Sequence, residues 1–140
     1  MKKVACMTPE QMKARAKAFA LRIIRLTESL GRGQAAETIG RQLLRSGMSV
    51  GANYRAACRG RSTAEFVAKM GIVEEEIDEC LFWMELLIEA DLVQESLIAD
   101  LIQECREILA ITVSSVNTAR GNKRSPRNKE SAIRNPQSAI

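Results

Sequence analysis

The sequence predicts an all-α fold, an up-down-up-down antiparallel four-helix bundle, and three observations predict it. The 140 residues are 46% apolar but only 4% aromatic, with three prolines, a mixture that a β-sandwich does not use. Apolar residues recur at three- and four-residue spacing through four long segments, the period of an amphipathic helix. Short breaks separate those segments, and short connections make consecutive helices antiparallel neighbours. The length suits one domain with one core.

Thr8-Pro9-Glu10 is a helix start, with proline at the first helical position and an acid beside it. Met12, Ala16, Phe19, Ile23, Leu26 and Leu30 then form one apolar seam that ends near Gly31. The second helix is expected from Gln34 to Arg59, closed by Gly60. Ser62 and Glu65 have capping-box spacing and open the third, whose core side carries Phe66, Met70, Val73, Ile77, Leu81, Met84 and Ile88. Asp91 marks a break, and the fourth helix runs from Gln94 to Ala119 with Leu101, Cys105, Ile108, Thr112 and Val116 inside. Residues 1–120 make the bundle. Residues 121–140 have no periodic apolar face and are expected to form a disordered basic tail.

The net charge of +4 is unevenly spread: residues 1–33 carry +6, residues 34–62 carry +4 and residues 63–91 carry −8. Such a split suits an anionic partner, or attraction between the halves or between copies. Cys6, Cys58, Cys80 and Cys105 show no CxxC pairing and read as reduced thiols of a cytoplasmic protein. The first residues lack the apolar run of a signal peptide, and no stretch approaches the ~20 apolar residues of a membrane span, so no membrane role is expected.

The second helix shows a different chemistry on each face. At 100° per residue, Arg41, Arg45, Met48, Ala52, Arg55 and Arg59 fall along one line. Opposite them, Ile39, Leu43, Val50, Tyr54 and Ala57 face the core. Gly40, Gly47 and Gly51 line one edge; Gln42, Ser46, Ser49 and Asn53 line the other. Interior glycines cost roughly 1 kcal/mol each against alanine, which close approach of a neighbouring helix offsets. The polar edge suits contacts between helices that fix register, with Gln42, Ser49 and Asn53 the candidates. The four arginines span about 27 Å of helix, and guanidinium groups contact phosphates in bidentate fashion. A solvated face, or one paired with acids of the third helix, gives the same pattern.

The third helix carries those acids in Glu74-Glu75-Glu76-Ile77-Asp78-Glu79. Its second half is apolar nearly all round, which places Phe82, Trp83 and Leu86 in a subunit interface of a homo-oligomer. The chain has no histidine, hence neither the usual general base nor the Glu-x-x-His pattern of di-iron bundles. No phosphate-binding loop, dinucleotide fingerprint or nucleophile elbow occurs. No enzymatic activity, metal or cofactor is expected.

The central stretch, with Gln42-Leu43, Arg45-Ser46, Ser49-Val50, Asn53 and Ser62 followed by Glu65-Phe66, resembles a bacterial four-helix-bundle family. That family is named after proteins encoded in intervening sequences of large-subunit ribosomal RNA genes, and the resemblance covers residues 8–120. Many members carry Ala-Glu-Gly after the asparagine, where this chain has Tyr54-Arg55-Ala56. The resemblance implies a homopentamer and a role in binding nucleic acid. Relatives of the same fold are accessory proteins of diversity-generating retroelements that bind RNA and a polymerase through a basic surface.

Two functional expectations follow. In the first, a non-enzymatic oligomer binds structured RNA or DNA through Arg41, Arg45, Arg55 and Arg59, assisted by Arg22 and Arg25 of the first helix. In the second, the chain is an assembly scaffold whose basic face docks onto an acidic protein partner or a neighbouring copy.

Overall fold

A computed structural model describes residues 7–121. Four helices follow one another: α1 Pro9–Ser29, α2 Gln34–Cys58, α3 Thr63–Glu89 and α4 Glu95–Gly121. Gly121 thus ends α4 rather than beginning the tail; the rest of the basic tail expected over 121–140 lies outside the described residues.

Local side-chain hydrogen bonds set the starts of α1 and α3. The Thr8 hydroxyl accepts from the Gln11 amide at 3.1 Å, and the Gln11 side chain accepts from the Thr8 amide at 2.9 Å, a reciprocal box that Pro9 extends. At α3 only one arm of the expected box forms. Ser62 accepts from the Glu65 amide, but the Glu65 carboxylate reaches the Arg61 amide at 2.6 Å instead of the Ser62 amide. Asp91, at φ 57°, turns the chain between α3 and α4 in the left-handed region that Asp tolerates better than most side chains.

Contacts run in opposite directions along neighbouring helices, which establishes the antiparallel order. Gly40 of α2 faces Leu30, just past the end of α1, while Gly47 and Gly51 face Ile23 and Ala16 of α1 in turn. Ser46 of α2 meets Cys80 of α3, while Gly60 lies beside Phe66. The glycine edge is therefore the seam on which α1 seats, as its spacing implied. A Cβ on Gly47 would lie 2.8 Å from Ile23 Cγ2, and one on Gly51 would lie 3.5 Å from Ala16 Cβ.

The core draws Met12, Phe19 and Ile23 from α1, Leu43 and Val50 from α2, and Ile108 from α4. From α3 come Met70, Val73, Ile77, Met84 and Leu87, all fully buried. Each such side chain contributes roughly 1.5–3 kcal/mol by leaving water. The buried hydroxyls cost little because both bond to their own helix: Thr112 to the Ile108 carbonyl at 2.8 Å, and Ser46 to the Gln42 carbonyl at 3.0 Å. Burial pushes the Cys80 thiol up to about 12 and raises that of Cys105 as well, which favours the protonated thiol at both.

α1 and α4 meet sparsely and are joined by charge. Arg15 donates from Nε to Glu104 at 2.9 Å and from a terminal nitrogen to Glu107 at 2.6 Å. The Arg15 hydrogen bond holds the Glu104 carboxyl below its ordinary range against the opposing effect of partial burial. A carboxyl held low in the folded state stabilises the fold at neutral pH. That contribution is lost as acidification protonates it.

Candidate nucleic-acid interface

The arginine line of α2 points away from the core. Its solvent position follows from the helical period, since Leu43, Val50, Tyr54 and Ala57 occupy the opposite side and are buried. Arg41, Arg55 and Arg59 are exposed, and among the described residues none forms an ion pair. Met48, on the same line, is 47% exposed.

Arg55 does not stand alone. It shares a groove of about 520 Å³ with Lys13, Lys17 and Leu21 of α1, with Glu10 at one end. The antiparallel seating of α1 brings its first turns beside the last turns of α2, so two lysines four residues apart join the stripe. Lys13 is partly engaged, donating to Glu10 at 3.1 Å. Sequence reasoning missed this pair. The signal was available in the topology, since an antiparallel neighbour whose Ala16 meets Gly51 must set Lys13 and Lys17 near Arg55. Arg41 lies toward the other end, lining a second groove with Leu30, Leu44, Glu28 and Glu37.

Arg45 is different. Its three guanidinium nitrogens are all occupied within the chain: Nε donates to Gln42 Oε1 at 3.4 Å, one terminal nitrogen donates to Glu76 at 3.2 Å, and the other donates to Glu79. Glu79 also accepts from the indole N–H of Trp83 at 3.1 Å. Partial burial pushes the Glu79 carboxyl upward, but the bonds from Arg45 and Trp83 outweigh it and hold the carboxyl below its ordinary range. The pairing of stripe and acid cluster weighed from sequence thus exists inside one chain, at one of the four arginines.

The helpers of α1 divide. Arg25 is exposed, whereas Arg22 is half-buried and close enough to Glu104 of α4 to help lower that carboxyl. Arg22 therefore serves the α1–α4 side rather than the α2 line.

The polar edge of α2 bonds mainly to its own backbone. Ser49 donates to the Arg45 carbonyl at 2.8 Å, and Asn53 donates to the Ser49 carbonyl at 2.9 Å. Gln42 accepts from Arg45 of the same helix. The contact that crosses between helices is made by Ser46, which accepts from the Cys80 thiol at 3.4 Å. For Gln42, Ser49 and Asn53, the side-chain bonds among the described residues are within α2.

On α3, Phe82 is 54% exposed and meets Trp83 edge-to-face at 4.9 Å between ring centroids. Trp83 and Leu86 are half-buried and pack against the core edge. Glu75, Asp78 and Glu89 are exposed beside them. Among the described residues no cluster of His, Cys, Asp or Glu is arranged to hold a metal ion, and no helix is long and apolar enough to cross a membrane.

No curated protein matches the chain. A crystal structure from Bacteroides thetaiotaomicron, described as a protein with unknown function from the S23 ribosomal protein family, is similar to it at 32% identity with a TM-score of 0.74. The similarity covers 79% of this chain and 99% of that one. The family model for the 23S rRNA-intervening sequence protein matches residues 10–114, and the chain belongs to that family.

Proposed function

We infer that the protein is a non-enzymatic, self-associating, cytoplasmic four-helix bundle that binds structured RNA or another nucleic acid through the outer face of α1 and α2. The observation that carries this reading is the run of cations left without acid partners: Arg41, Arg55 and Arg59, with Lys17 beside Arg55 in one groove. Basic side chains spaced along a helix neutralise successive phosphates and release counterions, which makes binding strong and salt-dependent. Contacts to phosphate read no bases, so sequence selectivity is weak. The phosphate-binding set therefore becomes Arg41, Arg55, Arg59 and Lys17, joined by Lys13 when it exchanges Glu10 for phosphate, with Arg25 in support.

Self-association rests on Phe82, a large apolar side chain 54% exposed on the outer side of α3, where it packs edge-to-face on Trp83. The subunit number of five comes from the family resemblance alone.

Replacing Lys17 and Arg55 with glutamate tests the face. Fluorescence anisotropy with a labelled structured RNA should show affinity at least tenfold weaker, and a log–log salt slope smaller by about 2. The assembled mass should stay the same. Unchanged affinity would remove the phosphate role. A fall in mass would favour the scaffold reading, in which the basic face docks onto an acidic protein surface or a second copy.

A further inference from the structure

Resting on the nucleic-acid reading above, we propose that Glu76 and Glu79 of α3 act as built-in phosphate mimics that occupy Arg45, and that a polyanion gains this arginine only by displacing them. Three observations support it. Each nitrogen of the Arg45 guanidinium already has an acceptor in Gln42, Glu76 or Glu79, in the two-carboxylate bracket that a pair of phosphate oxygens would otherwise supply. The Arg45 side chain nonetheless stays 48% exposed, against 18% for Glu76 and 33% for Glu79. An ion pair this open to water is weakly held, so exchange of carboxylate for phosphate is accessible. Finally, the other three arginines of the line have no such partner among the described residues.

One of the two acids is itself held in place. Glu79 Oε1, the oxygen that Arg45 reaches, also accepts from the Trp83 indole, which packs against the core edge. The carboxylate is thus presented to Arg45 by a rigid element instead of swinging free. Arg45 is a reserve contact, and α3 sets how tightly the face binds. Glu76 and Glu79 are positioning residues of the interface and touch no ligand.

The test pairs a double variant with a charge-matched control. Glu76→Gln with Glu79→Gln removes both negative charges and keeps an oxygen to accept from Trp83. Glu75→Gln with Asp78→Asn removes the same charge from exposed acids of the same helix that make no ion pair with Arg45. Anisotropy against the same labelled RNA should show about fivefold tighter binding for the first, with a salt slope steeper by about 1. The control should change affinity less than twofold. Arg45→Ala should leave the unmodified protein within about twofold, and added to the first double variant it should abolish the gain. An equal gain in the control, or a gain that survives Arg45→Ala, would overturn the masking. If the unmodified protein binds RNA and the first variant gains nothing, the masking fails and the face stands. If the unmodified protein does not bind at all, both readings fall.

Discussion

Replacing Gly47 with valine is expected to lower the stability of the fold by about 3 kcal/mol, at the upper end of what overpacking a core costs. A Cβ there would lie 2.8 Å from Cγ2, 3.0 Å from Cγ1 and 3.1 Å from Cβ of Ile23. Ile23 is fully buried and β-branched, so it strongly prefers one rotamer and has little room to retreat. Relief requires α1 to move off α2, and that opens the seam along which Gly40 and Gly51 also pack. Gly71 is the control. Nothing lies within 4 Å of a Cβ built at Gly71 in α3, so Gly71→Ala should raise stability by about 1 kcal/mol through helix propensity. Urea unfolding of the three proteins, compared at similar slope, checks both signs. Equal midpoints for Gly47→Val and the parent would mean that α1 does not approach α2 as described.

Phe82→Asp should reduce the assembled mass to that of the 15.5 kDa protomer, measured by light scattering on an eluting peak. Phe82 is 54% exposed, so an aspartate there is tolerated in the single chain. In an assembly it would bury an unpaired charge at the centre of a contact, beside the exposed Glu75, Asp78 and Glu89. Leu86→Asp is less informative, because Leu86 packs against the core edge and its loss would also weaken the protomer. A mass unchanged by Phe82→Asp would place the subunit contact elsewhere.

Most of the bundle was legible because each helix announces one face. The seam of Met12, Ala16, Phe19, Ile23 and Leu26 is buried as its spacing required, and the glycine edge of α2 meets α1 for the reason its propensity cost implied. Helix periodicity is a property of one segment, and so it could be read from one segment. What escaped is what two segments make together. Lys13 and Lys17 looked like ordinary solvated residues until the antiparallel seating of α1 set them beside Arg55. Arg45 looked like its three neighbours on the wheel. It differs because Glu76 and Glu79 arrive at its height from α3, a matter of register between helices that spacing within α2 does not encode. The polar edge illustrates the same limit. Ser and Asn side chains on a helix can turn back to their own carbonyls, and Ser49 and Asn53 do so, leaving Ser46 to cross to Cys80.

The most direct test of the central claim is a salt series on the unmodified protein. The equilibrium constant for a labelled structured RNA would be measured by anisotropy from low to near-physiological salt. Five phosphate-facing cations predict a log–log slope of magnitude roughly 4 and little dependence on RNA sequence. Absence of binding at low salt, or binding that does not weaken with added salt, would contradict a phosphate-reading face on α1 and α2.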